Sequence, residues 1–158
     1  MSSRSLDAFV GAHPAALREI YGAGTPADPA ELGADSRGRL LALEPLAGAF
    51  LVTRRVVVGA GRVLPWQGKA FDPDGAGGHN RVLGRRVLRF RCEPGPSELD
   101  GRPTLLLRYD GVGNPWPISA LVDELRRVGD GVAIGPASLL AGRATRLLFW
   151  WGLERMGA

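Results

Sequence analysis

The sequence predicts a mainly β protein built as an antiparallel barrel or a strongly curved sheet. From residue 38 onward, many short apolar segments are separated by Gly, Pro, Asp and Asn turns, while helical patterns concentrate near the amino terminus. The 158 residues, 45% hydrophobic and 23% charged, match ordinary usage for one globular domain. We therefore expect a single domain over 1–158, with a helical cover at 1–22 and the barrel at 38–155.

The amino-terminal segment 5–21 predicts one or two short helices. Its apolar residues have helical spacing, with a break expected at His13-Pro14 and an end at Gly22. Gly and Pro then predict a loop. We expect the helices to cover the outside of the barrel.

Strand patterns dominate the rest of the chain. The candidates bounded by turn residues lie at 38–44, 69–71, 79–83, 86–92, 104–109, 131–134 and 145–153. Asp100-Gly101 is typical of a tight turn between neighbouring antiparallel strands. Segment 50–58 is apolar without clean alternation, so a strand and a helix both remain open there.

Segment 117–128 predicts one amphipathic helix set among the strands. Its apolar residues recur at helical spacing: Ile118, Leu121, Val122, Leu125 and Val128. Pro117 suits the first turn of a helix and Gly129 its end. We expect this short helix to close one end of the barrel.

The last predicted strand is apolar on both faces. One face carries Leu147, Phe149, Trp151 and Leu153, and the other carries Leu148 and Trp150. A strand with two apolar faces is covered on both, which indicates the barrel interior on one side and a helix or second subunit on the other. Core packing explains these residues; the functional alternative is that a tryptophan lines a ligand cavity.

Charge and composition exclude several classes of protein. The net charge is +4, but the chain has one lysine and its arginines are spread among acidic residues. The one dense basic segment, 85–91, is interpreted as a solvated strand face. Nucleic-acid binding is therefore not expected. Cys92 is the only cysteine, which removes an internal disulfide and fits a reducing compartment. No apolar run approaches the roughly 20 residues of a membrane span. We expect a cytoplasmic protein.

Residues 65–71 read Pro-Trp-Gln-Gly-Lys-Ala-Phe and are followed by a Gly-rich turn and His79-Asn80. This stretch is similar to the Trp-x-Gly-Lys-x-Phe segment of a family of uncharacterised bacterial lipocalin-like proteins named for a Gly-x-Trp-x-Gly motif. Segments 108–110, 114–115, 123–126 and 149–154, with Gly135, resemble the domain of unknown function that follows that motif. The resemblance implies a calycin-like barrel with a cavity, and it implies no catalytic residues.

A few polar groups could orient a ligand in such a cavity, among aromatic side chains. The ligand-binding candidates are Trp66, Lys69, Phe71, Asn80, Tyr109, Trp116 and Trp151. Lys69 could pair with an acidic ligand group, and the Tyr109 hydroxyl could donate to a ligand carbonyl. The structural alternatives are a surface lysine lying on Trp66, a turn role for Asn80 and simple packing of Tyr109.

Catalytic residues are not identified, and Tyr109, Asp123 and Glu124 are the weak candidates. If the predicted helix closes the barrel, one carboxylate could turn inward and acquire the raised pKa that a general base needs. A surface pair of Asp123 with Arg127 is the alternative. No metal site is predicted; haem held through His79 is a remote alternative to a surface histidine.

Three functions remain open at the level of sequence. The first is binding of a hydrophobic small molecule in the barrel without a cofactor. The second is a cofactor-independent isomerase or cyclase that acts on a hydrophobic metabolite in the same cavity. The third is an interaction protein with a filled barrel, forming a homodimer through its carboxyl-terminal strand.

Overall fold

Eight antiparallel strands close into a barrel in the computed structural model, which describes residues 4–44, 50–60 and 65–157. The barrel strands are β2 (Asp35–Leu43), β3 (Trp66–Phe71), β4 (Gly77–Val82), β5 (Arg85–Pro96), β6 (Pro103–Arg108), β7 (Leu121–Gly129), β8 (Val132–Ala141) and β9 (Ala144–Arg155). Each pairs with the next along the chain, and β9 returns to pair with β2. The mainly β fold class is confirmed as a closed barrel consistent with a calycin or lipocalin type.

The predicted strands exist, most of them longer than expected. The barrel begins at Asp35, and a two-residue strand β1 (Thr25–Pro26) precedes it and pairs with β7. Segment 50–58, left open between strand and helix, lies in helix α3 (Phe50–Ala60). The Asp100-Gly101 turn joins β5 to β6 as predicted, with Gly101 at a φ of 70°.

The helix predicted at 117–128 is wrong. Only a 3₁₀ turn forms at Ile118–Ala120, and strand β7 follows directly, paired with both β6 and β8. Both faces of β7 are buried, so apolar residues occur on each face and their combined spacing imitates a helical stripe. Its charged residues Asp123, Glu124 and Arg126 are buried, each with hydrogen-bonding partners.

The amino-terminal helices lie on the outside of the barrel. A 3₁₀ turn (Leu6–Phe9) and helix α1 (Pro14–Gly22) follow the predicted break, and the His13 ring accepts a hydrogen bond from Ala15 N at 3.0 Å at the start of α1. Their buried side chains pack with Trp150 of β9, whose ring lies 5.8 Å from that of Tyr21 in an edge-on contact. These contacts place the amino-terminal helices against the outward-facing side chain of Trp150.

Strand β9 sends side chains both inward and outward. Trp151 and Leu153 belong to the interior cluster, with Phe149 packed against it. Leu147, predicted on this inner face, packs instead with the outer cluster because the register with β8 shifts between Ala137 and Ser138. The bulge therefore separates Leu147 from the interior.

The barrel interior is filled at one end and open at the other. Helix α2 (Pro29–Leu32) places Leu32 in the interior cluster, near the end of the barrel where β3 reaches Phe71. The far ends of β2, β3 and β7 border open space instead. Within the described ranges, no helix is long and apolar enough to cross a membrane.

Candidate functional site

A cavity of about 370 Å³ occupies the open end of the barrel. Its lining is apolar except for three charged or amide-bearing side chains and one phenol. The lining residues are Leu40, Leu43, Trp66, Lys69, Asn80, Leu88, Tyr109, Ile118, Leu121, Asp123, Phe149 and Trp151. This volume and composition are those of a small-molecule pocket.

Strand alternation brings four polar side chains together at the bottom of the cavity. We call this cluster the polar floor, and it consists of Lys69, Asn80, Tyr109 and Asp123. Lys69 of β3 and Asn80 of β4 are paired residues across an antiparallel ladder, so their side chains lie on one face. Asp123 of β7 faces inward between Leu121 and Leu125. Tyr109 follows β6 and continues the inward face of Leu105 and Leu107.

The Trp66 ring is placed at the cavity by two glycines. A Cβ atom on Gly38 would lie 2.4 Å from the ring, and one on Gly68 would lie 2.0 Å from Ser36 O. Gly68 also adopts a φ of 135°, which L side chains rarely take. The Trp66 Nε1 donates to Asn80 Oδ1 at 2.9 Å, so the indole is fixed to the polar floor.

Lys69 is the centre of the polar floor. Its Nζ donates to Asn80 Oδ1 at 2.9 Å, to the Tyr109 hydroxyl at 2.6 Å and to Asp123 Oδ2 at 3.0 Å. The ammonium also lies 4.7 Å from the Trp151 ring centroid and 4.8 Å from that of Phe90. The lysine is therefore enclosed by hydrogen-bond acceptors and aromatic faces.

Burial shifts the pKa values of side chains in and near the floor of the cavity. Desolvation lowers the pKa of Lys69, and the Asp123 carboxylate acts in the opposite direction. Desolvation and the nearby carboxylate raise the pKa of Tyr109 well above its ordinary value, so the phenol keeps its proton at neutral pH. Burial also raises the pKa of the Cys92 thiol to about 12.

The opposite face of β7 carries a second buried polar cluster. The Glu124 carboxylate accepts hydrogen bonds from the Tyr21 hydroxyl, from Ser97 Oγ at 2.6 Å and from Glu98 N at 2.7 Å. Arg126 Nη1 and Nη2 form a two-pronged pair with Asp100 at 2.7 and 2.8 Å. This outer cluster ties α1 to the β5–β6 turn and does not border the cavity.

The structure gathers most of the predicted ligand-binding candidates into one cavity. Five of them line it: Trp66, Lys69, Asn80, Tyr109 and Trp151. Phe71 is buried below the cavity, in edge-on contact with Phe90, and Trp116 lies outside it with 80% of its surface exposed. Of the catalytic candidates, Asp123 and Tyr109 meet at 2.9 Å, whereas Glu124 lies on the other face of β7.

His79, the residue considered for haem, neighbours Asn80 on β4 and is not among the residues that line the cavity. Among the described residues, no group of three or more His, Cys, Asp or Glu side chains could hold a metal ion.

Sequence reasoning missed the apolar residues at the cavity mouth. These are Leu40, Leu43, Leu88, Ile118, Leu121 and Phe149. Phe149 could have been found, because it shares an inward face with Trp151. Leu88 could not, since it faces the cavity through an irregular backbone with a φ of 54° beside a register shift in β4–β5.

The sequence matches no family model and no curated protein. Among solved structures, the barrel is similar to one described as a protein from Thermomonospora curvata. The TM-score is 0.57 at 16% sequence identity, and the match covers 96% of this chain and 93% of that chain. This likeness shows the fold shared over nearly the whole chain.

Proposed function

We propose that the protein binds an apolar small molecule in the open end of its barrel. The observation that carries this proposal is the cavity of about 370 Å³, within the range of roughly 300 to 1,000 Å³ typical of ligand pockets. Leucine and aromatic side chains supply most of its wall, which favours a hydrophobic ligand. The polar floor supplies orientation.

The open space argues against the filled-barrel alternative. The interior of an eight-stranded barrel is filled by its own side chains or holds one small ligand. Side chains fill the closed end of this barrel. At the open end, the side chains of Leu40, Leu121 and Phe149 border empty volume instead of meeting across it. A homodimer is not needed to explain the fold, since α1 already covers Trp150.

A second candidate function is a cofactor-independent isomerase or cyclase. The observation that favours it is the convergence of Lys69, Tyr109 and Asp123, whose polar atoms lie within 3.0 Å of one another at the edge of the cavity. A carboxylate beside a phenol and an ammonium supplies acid and base groups, and the apolar wall would hold a substrate in a reactive shape. Membership of the lipocalin-like Gly-x-Trp-x-Gly family, which we also propose, accords with either function.

Binding of the fluorescent probe N-phenyl-1-naphthylamine tests the proposal. We expect the probe to bind the wild-type protein. Leu121→Trp places a larger ring in the cavity and should weaken binding at least about ten-fold, because the indole would take up space that the probe needs. Val56→Trp is the matched control, because Val56 is 52% exposed on α3 and does not line the cavity. Absence of probe binding, or equal binding by Leu121→Trp, would contradict the proposal.

A further inference from the structure

We infer that the cavity selects apolar ligands with an uncharged hydrogen-bond donor, such as the hydroxyl of an alcohol or a phenol, and excludes carboxylates. The acceptor is Asp123 Oδ1. This inference rests on the proposed function and defines the ligand class of the same cavity. It depends on counting which hydrogen-bonding capacity of the polar floor the protein itself already occupies.

Lys69 has no donor left for a ligand. An ammonium group has three N–H donors, and those of Lys69 reach Asn80 Oδ1, the Tyr109 hydroxyl and Asp123 Oδ2. The expectation that this lysine pairs with an acidic ligand group therefore requires it to break one of these contacts first. Its side chain is only 2% exposed, so the broken contact would not be replaced by bulk water.

Tyr109 and Asn80 are also fully engaged. The Tyr109 hydroxyl donates to Asp123 Oδ2 at 2.9 Å and accepts from Lys69 Nζ and from Asn80 Nδ2 at 3.0 Å. Asn80 Nδ2 also donates to Leu88 O at 3.1 Å, while its Oδ1 accepts from Lys69 and Trp66. A phenol and an amide have no further capacity than this. The Tyr109 hydroxyl is therefore not free to donate to a ligand carbonyl.

Asp123 is the exception among these four side chains. Its Oδ2 accepts two hydrogen bonds, whereas its Oδ1 accepts none from the described part of the chain. The described side-chain atoms that are both buried and without a partner are Arg39 Nε, Trp150 Nε1 and Trp151 Nε1. Asp123 Oδ1 is not among them and Asp123 lines the cavity, so this oxygen is the accessible acceptor at the floor.

The charge of the floor decides what kind of donor fits. Lys69 already balances the Asp123 carboxylate at 3.0 Å, so a ligand donor needs no positive charge of its own. A ligand carboxylate would face the Asp123 carboxylate between largely apolar walls, where like charges repel more strongly than they do in bulk water. A ligand ether would leave Oδ1 without a partner after displacing water from it, which costs binding free energy.

Calorimetric titration with three compounds of one ring system tests this order. We expect 1-naphthol to bind at least about ten-fold more tightly than 1-methoxynaphthalene, because a hydrogen bond to a charged acceptor supports a difference of that size. We expect no measurable binding of 1-naphthoate. Equal binding of the naphthol and its methyl ether, or tighter binding of the carboxylate, would overturn the inference and leave the proposed function standing. Failure of all three compounds to bind would overturn both.

Two isosteric substitutions on one strand locate the acceptor. Asp123→Asn keeps an oxygen for Lys69 and Tyr109 and turns an N–H₂ donor toward the cavity, so the preference for 1-naphthol over its methyl ether should vanish or reverse. Glu124→Gln, on the outer face of β7, should leave the preference unchanged within about two-fold. An unchanged preference in Asp123→Asn would overturn the assignment. If that variant does not fold, the wild-type titrations decide alone.

Discussion

Both faces of strand β7 carry buried charged residues. The two faces differ in how many of the polar atoms of these residues have hydrogen-bonding partners in the protein. On the outer face, Glu124 and Arg126 are each 1% exposed and are surrounded by polar groups of the protein. On the inner face, Asp123 is 6% exposed and has protein partners on only one of its carboxylate oxygens. Burial of charge is thus common to both faces, and only the inner face retains an accessible acceptor.

The outer cluster is an example of a buried polar cluster whose charged groups all have hydrogen-bonding partners in the protein. The guanidinium of Arg126 has five N–H donors, and all find acceptors: Asp100 twice and the carbonyls of Pro103, Tyr21 and Arg102. Glu124 accepts from three donors on α1 and around the β5–β6 turn. A cluster whose guanidinium nitrogens and carboxylate oxygens all have protein partners holds elements together. A carboxylate oxygen without a protein partner beside a cavity indicates a ligand, which is the distinction that the following predictions test.

The largest expected change in the free energy of unfolding follows removal of Arg126, the cation of the outer cluster. Arg126→Met keeps an apolar stem of similar length, but it removes five buried hydrogen bonds, two of them to the Asp100 carboxylate. We therefore expect a loss of about 3–5 kcal/mol in the free energy of unfolding. Arg127→Met is the matched control, since Arg127 is 46% exposed in a surface pair with Glu31 and should cost about 1 kcal/mol or less. Urea unfolding measures both. Similar losses for the two variants would refute the distinction between them.

Strand β7 also shows where sequence patterns stop being informative. Alternation located the other barrel strands because their turns are marked by Gly, Pro, Asp and Asn. In β7, Leu121 and Leu125 face inward while Val122 faces outward, so apolar residues follow both faces and produce a 3.6-residue spacing. Nothing local distinguishes this pattern from a helix.

The sequence was enough to identify most of the polar residues of the site, but not the contacts that they make with one another. Lys69, Asn80 and Tyr109 were identified as polar groups in apolar strands, and a strand assignment for β7 would have separated Asp123 from Glu124 by alternation. The contacts among them depend on pairing across strands that lie up to 54 residues apart in sequence, from Lys69 to Asp123. Whether the donors and acceptors of these side chains are all occupied depends on three-dimensional geometry, and it cannot be deduced from composition or sequence spacing.

A matched pair of phenol removals should separate the two faces by ligand preference. Tyr109→Phe leaves one N–H of Lys69 and one of Asn80 without an acceptor beside the cavity, whereas Tyr21→Phe removes one of three donors to Glu124. We expect each to lose about 1–3 kcal/mol in the free energy of unfolding. Only Tyr109→Phe should gain affinity for 1-methoxynaphthalene or 1-naphthoate, because it alone exposes unused donors. Calorimetry checks this, and a gain in Tyr21→Phe as well would show that the outer face influences the cavity.

The smallest effect is a pH dependence confined to the outer cluster. Hydrogen bonds from Arg126 hold the pKa of Asp100 well below its usual range, so the folded protein favours the carboxylate more than the unfolded chain does. A lowered folded pKa contributes stability that is complete above the unfolded value, about 3.9, and is lost progressively as the pH falls toward the folded value. Asp100→Asn should therefore be less stable than wild type by about 1–2 kcal/mol at neutral pH, allowing for partial exposure, and this gap should narrow below about pH 4.

Asp130→Asn is the control for this pH series. Asp130 is 74% exposed, and its nearest approach to Arg155 is 3.8 Å, so its removal should leave stability unchanged at every pH within about 0.5 kcal/mol. Urea unfolding of the two variants and the wild type across the acid range gives the comparison. A gap for Asp100→Asn that stays constant in acid would mean that the contribution of Asp100 to stability does not depend on the ionisation of its carboxyl group. The hydrogen bonds that Asp100 accepts, and not its charge pairing with Arg126, would then account for the gap.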